Sequence, residues 1–275
     1  FTGPGTFCVS SVGNPAGSNS VDYLVVAGGG GTNWDRDAGG GAGGFRLSNS
    51  VGCVPAPTMS PLSNPTGLPV SVTAYPITVG GGGAAIASGG TTNPGSNSIF
   101  SSITSAGGGG SRQTGGSGGG GYCGASGSAG NTPPVSPPQG NPGGSNIAYN
   151  TGAGGGGGAG AAGENGPPSV GGAGGSGSFL ADTFIGPTAP SYGTTGPVGS
   201  TRYFAGGGGG AKYPAGPGGA GGAGGGGAGA AGATVGTPGT INTGGGAGGS
   251  GANGGVAPNG ASGGSGIVMI RYKFQ

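Results

Sequence analysis

The stretch Val21-Asp22-Tyr23-Leu24-Val25-Val26-Ala27-Gly28-Gly29-Gly30-Gly31 joins two kinds of chain. Its first seven residues are β-branched, aromatic or small and have strand character, whereas the last four carry no side chains. The far end mirrors it, with Gly264-Ser265-Gly266 leading into Ile267-Val268-Met269-Ile270-Arg271-Tyr272-Lys273-Phe274. Tyr23, Leu24, Val25 and Val26, with Ile267, Val268, Met269, Ile270 and Tyr272, are the predicted strand residues. Thr6-Phe7-Cys8-Val9-Ser10 is a third, shorter candidate, and Gly13, Asn14, Pro15 and Gly17 predict a turn after it. These three strands are expected to form one small sheet joining the two chain ends.

Between the ends, glycine dominates. It supplies 86 of 275 residues, proline another 23, and Leu, Ile, Val and Phe together about 14%. That is too little for an ordinary core in a chain of this length, so a conventional globular enzyme is excluded. Collagen requires glycine at every third position, and the runs Gly28–Gly31, Gly80–Gly83, Gly107–Gly110 and Gly206–Gly210 break that rule. Disorder usually comes with high charge, yet the net charge is +2. The same balance offers no basic stripe for nucleic acid, and no stretch is apolar and long enough for a membrane span. Phe1-Thr2-Gly3-Pro4 has neither an initiating Met nor a signal segment, which reads as a processed or trimmed chain.

Glycine tracts cover 28–31, 39–44, 80–90, 106–121, 152–163, 171–178, 205–211, 216–233, 244–255 and 260–266. Segments rich in Pro, Ser, Thr and Asn separate them and read as loops and turns, and helix is expected to be nearly absent. Glycine loses the most backbone entropy on ordering, so ordered tracts need many compensating hydrogen bonds. A left-handed extended helix of three residues per turn has no internal bonds and points every N–H and C=O outward. Such helices, lacking side chains, can approach closely and satisfy one another's peptide groups. The predicted fold is therefore mostly irregular with small β elements. Its body is a packed bundle of polyglycine-II helices, with alanine and serine on outer faces or in gaps and loops at two ends. One structural unit is expected: strands in 1–27, the bundle with variable loops in 28–265, and a closing strand in 266–275. The competing reading is a flexible Gly/Ser linker. Tracts of similar length, bracketed by well-formed strands, argue for order.

These residues resemble a glycine-rich domain of tailed bacteriophages, marine and cyanobacterial ones above all. The opening block 21–31 and the closing block 264–272 carry the resemblance. Tyr75-Pro76-Ile77-Thr78-Val79-Gly80-Gly81, Thr104-Ser105-Ala106 before Gly107–Gly110, and Tyr203-Phe204-Ala205 before Gly206–Gly210 support it. The resemblance implies a structural or fibre-tip role, similar to polyglycine-II tail-fibre adhesins that display variable loops to a host. Such adhesins have no fixed binding residues to carry over. The chain departs from them in showing no evident domain for attachment to a fibre shaft. The implied partners are a host cell-surface protein or glycan, and other fibre subunits or copies of the chain. The implied place is the virion surface or the extracellular space. The alternative is a subunit that self-assembles into a filament through the edge of its first strand.

Chemistry is sparse. With no histidine there is no imidazole base or metal ligand, and Cys8, Cys53 and Cys123 are too widely spaced for a metal pair. They allow three possible single bridges. Gly206–Gly210 followed by Ala211-Lys212-Tyr213 lacks the flanking residues of a phosphate loop. No catalytic residue, cofactor or metal site is expected.

Recognition candidates are Trp34, Asp35, Arg36 and Asp37 in the 32–38 loop. Gln139, Asn141, Asn146 and Tyr149 in the 131–151 segment, and Tyr192, join them. Aromatic and charged residues on a loop are common anchors of recognition. Each also has a plain structural reading: Trp34 as a plug on the bundle end, Asp35-Arg36-Asp37 as a solvated ion cluster, and 131–151 as a Pro-rich surface loop. Phe179, Leu180, Phe184, Ile185 and most of their neighbours are expected to pack on the end of the body.

Overall fold

A computed structural model describes residues 1–13, 18–50, 58–87, 90–252 and 258–273. Its strands are β1 (Gly5–Cys8), β2 (Ser20–Val26), β3 (Phe45–Ser48), β4 (Ser63–Asn64), β5 (Leu68–Pro69), β6 (Ala74–Thr78), β7 (Ser98–Phe100), β8 (Ile103–Ser105), β9 (Ser178–Ala181), β10 (Thr201–Phe204) and β11 (Ile267–Arg271). The one α-helix among the described residues is a single turn, α1 (Asp182–Ile185). A short 3₁₀ turn follows at Ala189–Ser191, and the other described residues are irregular, as the scarcity of helix-forming windows predicts.

β2 is central. It pairs antiparallel with β11, Val26 opposite Ile267 and Asp22 opposite Arg271, so the two chain ends do close on each other. On its other side it pairs with β3, which continues to β4. Side chains of a strand alternate between faces, and both faces of β2 are covered. Val21, Tyr23 and Val25 meet Ile77 and Phe100, with Val268 beside them. Leu24 and Val26 meet Phe45, Leu180, Phe184 and Phe204, with Ile267 beside them. That double burial explains why 21–27 reads as a nearly continuous apolar run. Sheet β1-β6-β7-β8 covers one face and the β9–β10 pair with α1 covers the other.

Two expectations need correction here. The first strand does not join the sheet of the chain ends: β1 pairs with β6, Phe7 opposite Tyr75. Its apolar ring faces Phe100 and Tyr272 across the interlayer core, at 6.1 and 6.0 Å between centroids, and that core draws it to the neighbouring sheet. Tyr272 itself lies one residue beyond β11 and is largely exposed. The segments 45–79 and 179–204, expected as loops, hold most of the remaining strands.

Below this β cap the glycine segments run back and forth, each handing its chain to the next through a turn. Their hydrogen bonds cycle with a period of three. Ala27 and Gly30 donate to Gly44 and Gly41, Gly28 and Gly31 to Ser96 and Asn93, and Gly29 and Thr32 to Gly264 and Ala261. Successive residues thus address three different neighbours, and the fourth returns to the first.

Segment 38–44 is the centre. It donates to Gly154 and Gly157, to Ala247 and Gly244, and to Gly109 and Ala106. It accepts from Gly30, Ser117 and Gly208. Six segments therefore surround it: 28–32, 106–111, 116–121, 152–159, 205–211 and 244–251. Each is bonded to the next around the ring, for example Gly28 with Gly108, Gly109 with Ser117, Gly154 with Gly121, Gly156 with Gly208, Gly246 with Gly206 and Ala247 with Gly30. This is a hexagonal array. Outside it stand 80–87, 93–97, 112–115, 127–131, 140–146, 163–166, 171–177, 218–223, 226–230, 236–240 and 260–266, bonded inward and sideways in the same manner.

That outer ring is one place short of the twelve that close a second hexagonal shell. The gap is a corner, against 106–111, between 93–97 and 112–115. Side chains fill it: Asn97 Oδ1 accepts the Gly107 N–H at 2.9 Å, and Thr92 Oγ1 donates to the Ser111 carbonyl at 2.9 Å. Buried peptide groups must find partners, and here two side chains stand in for a missing segment.

The bundle differs from the expected one in its passes, which are shorter than the sequence tracts. The run 106–121 folds into three passes and 216–233 into two, the latter turning at Gly224 and Gly225 with φ of 100° and 92°. Left-handed turns inside glycine cost little, so composition alone does not mark them. The seven interior segments are buried throughout, whereas perimeter segments expose part of each three-residue turn, as in 236–240, where Gly236 and Gly239 are buried and Thr237, Pro238 and Thr240 are exposed. Ala42 and Ala247 are fully buried inside, so interior gaps take methyl groups as well.

Candidate functional site

Alternating passes put the connections at two ends. One end is the β cap. The other, distal end gathers 32–38, 122–126, 146–151 and 212–217. Interior segments 28–32 and 38–44 deliver the first of these loops directly from the centre of the bundle.

Asp37 anchors that loop at its base. It is fully buried, and its carboxylate accepts from the Asn33 N–H, from Ala38 N–H at 2.9 Å and from Ser111 Oγ at 2.8 Å. Burial pushes its pKa up to about 6, against the pull of these donors and of Arg112. The Asp37 side chain is thus internal wiring, not contact surface. Between the clamped residues, Asp35 and Arg36 take left-handed conformations, φ 59° and 53°, and the turn carries a half-buried Trp34.

Arg36 gathers its surroundings. Its guanidinium carbon lies 3.8 Å from the centroid of the Tyr213 ring, Nε donates to Asp35 at 3.1 Å, and Nη1 donates to Tyr149 Oη at 2.8 Å. Two loops far apart in sequence, 32–38 and 146–151, therefore meet through one side chain. Arg112 faces the Tyr122 ring at 5.1 Å. Lys212, almost fully buried, donates Nζ to the Asn150 carbonyl at 3.0 Å and to the Tyr213 carbonyl, tying the two tyrosine loops together. Tyr149 remains 62% exposed at the centre of this group.

The 131–151 segment does not form one loop. Residues 140–146 cross the bundle, and the two halves of the segment lie at opposite ends. Gln139 is buried beneath the β cap, where Oε1 accepts from Ala106 N–H at 2.8 Å and Nε2 donates to the Pro133 carbonyl at 2.8 Å. Asn141 spends its amide on the carbonyls of Gly158 and Ala159. Asn146 is buried, donating to the Gly152 carbonyl at 2.7 Å and accepting from Gly124 N–H at 2.6 Å. Each satisfies backbone groups where the array ends, and such polar side chains look the same in sequence as adaptable contact residues. Tyr192 packs against the apolar cluster of the β cap, away from Trp34 and Tyr149. The distal end thus unites Trp34, Asp35, Arg36 and Tyr149 from the sequence candidates and adds Arg112, Tyr122, Lys212 and Tyr213.

Cys8 and Cys123 are exposed free thiols, and Cys53 lies outside the described residues. Among the described residues no cluster of carboxylate, thiol or imidazole groups could hold a metal ion, and no helix is long and apolar enough to cross a membrane. No curated protein matches the chain. A family model does, over residues 2–273, and on that match, together with the ordered glycine array, the chain belongs to the family described as the glycine-rich domain.

Proposed function

We propose that the chain is a non-enzymatic adhesin of a bacteriophage tail fibre or other virion surface, whose distal loops bind a receptor on the host cell. The observation that carries this reading is the meeting of Trp34–Arg36 with Tyr149 and Tyr213 at one end of the array, through Arg36. A recognition surface gains from loops held on a rigid base, because less ordering entropy is lost on contact. The three-residue cycle of hydrogen bonds supports reading the segments as polyglycine-II helices, which would make that base stiff. The purified chain is expected to compete with virions for adsorption to a susceptible cell. Triple replacement of Trp34, Arg36 and Tyr149 by alanine, with the fold intact, should abolish the competition. Undiminished competition by that variant would overturn the assignment of the distal end.

A second reading, self-assembly into an extracellular filament, draws on one observation: β1 lies at the open edge of its sheet. Deleting residues 1–12 should then abolish filaments while leaving a folded monomer. Filaments that survive the deletion would rule that edge out.

A further inference from the structure

We propose that the distal cleft between Arg36, Tyr122, Tyr149 and Tyr213 binds an acidic polysaccharide, with sugar rings on the tyrosines and the anionic groups on Arg36 and Arg112. The inference rests on the adhesin reading of the distal end and names the ligand class it would take.

Three features of the cleft point to that chemistry. The first is its lining. Arg36, Tyr122, Cys123, Tyr149 and Tyr213 border one opening between four loops, so aromatic rings line it, with a guanidinium alongside. Flat apolar faces beside planar hydrogen-bonding groups suit a pyranose, which has an apolar C–H face and a polar rim.

The second is charge. Arg36, Arg112 and Lys212 supply three cations at this end. Asp35 is paired with Arg36, and Asp37 lies beneath the loop with its oxygens already bonded. Lys212 Nζ donates to the Asn150 and Tyr213 carbonyls, so its charge meets backbone dipoles. A positive excess is left at the cleft, and it favours an anionic ligand over a neutral one.

The third is convergence. Arg36 lies on the Tyr213 ring and Arg112 on the Tyr122 ring, and both rings border the same opening, so the two guanidinium groups approach it from two loops. Arg36 is held flat by Tyr213 and Tyr149. A planar fork fixed in advance matches a carboxylate or sulfate with little further ordering.

The test uses two matched pairs of glycans: polygalacturonate against its methyl ester, and dextran sulfate against dextran. Trp34 is the only tryptophan in the chain and sits in the loop that presents Arg36, so its emission reports binding, with calorimetry as an independent readout. At least one acidic member is expected to bind, about tenfold or more tighter than its neutral counterpart, and to weaken as salt rises. Arg36→Gln and Arg112→Gln should each weaken it by about tenfold, the loss of a charge-assisted contact. Lys273→Gln at the β cap should leave it unchanged. Binding of neither acidic glycan, or equal binding of both members of each pair, would overturn the proposal.

Cell adsorption separates this failure from failure of the adhesin reading. Adsorption that depends on Trp34, Arg36 and Tyr149, yet survives removal of acidic surface glycans and is lost after protease treatment, would leave the distal end a receptor site and refute the ligand class. Adsorption indifferent to those residues would refute both.

Discussion

Segments 38–44 and 80–87 are both glycine runs, yet the array asks different things of them. In the central segment every position is enclosed: a Cβ at Gly39 would lie 1.9 Å from the Gly208 carbonyl oxygen, and one at Gly41 would lie 2.2 Å from that of Ser117. In the perimeter segment, Gly81 faces open space, with nothing within 4 Å of an added Cβ. Glycine is thus a packing necessity in one place and, at Gly81, only a local choice in the other. Interior segments read as nearly unbroken Gly with scattered Ala and Ser, while perimeter segments admit Pro, Thr, Asn and Ala where they face outward. The spacing between segments, not backbone conformation, makes the difference.

The comparison breaks first at its centre. Gly39→Ala is expected to be the most damaging single change, because backbone on both sides must move; a loss of about 3 kcal/mol or more, with much of the protein failing to fold, should appear in denaturant unfolding. An unchanged midpoint would mean that the array is far looser than its hydrogen bonds indicate.

The next effect lies at the start of the same segment and follows pH. The Asp37 carboxyl is raised from 3.8 to about 6, so the folded state holds its proton where the unfolded chain has released it. This contribution is fully present below the unfolded value, falls as pH rises from about 4 to about 6, and is constant above. The total is on the order of 3 kcal/mol less stability at pH 7 than at pH 4 from this group. Comparing the pH slope of wild type with that of Asp37→Asn isolates it, and identical slopes would contradict the burial argument.

At the incomplete corner, Asn97→Ala removes the side-chain acceptor of the buried Gly107 N–H and should cost about 1–3 kcal/mol. Amide exchange at Gly107 would accelerate together with the loss in stability. The smallest effect belongs to Gly81→Ala, expected to stabilise by about 0.4–1 kcal/mol through the unfolded chain alone. A marked destabilisation there would erase the distinction between perimeter and centre.

How far the sequence could be read varies by element. Val21–Ala27 and Ile267–Arg271 were legible because β-branched and aromatic side chains declare a buried strand locally. The partner of β1 was not, since an edge of four residues pairs wherever the nearest apolar surface lies. The loop 32–38 was legible as a recognition candidate from Trp34 and its charges. Arg112 and Tyr122 went unnoticed, and Lys212-Tyr213 was weighed only against a phosphate loop, because only adjacency between separate turns gives these residues a shared meaning. Gln139 and Asn146 were misleading for a related reason: a buried amide that completes a backbone array is indistinguishable in sequence from one offered to a ligand.

The sequence by itself determined that backbone groups, not side chains, must hold this chain together, and that its two ends close as strands. Both follow from composition and local pattern, which need no knowledge of neighbours. Tertiary structure alone decided where the glycine runs turn, which segment became the centre, where two side chains would replace a missing corner, and which residues would share the distal end. Glycine carries no side chain to label its place, so position in the array is fixed only when all the hydrogen-bonding partners are present at once.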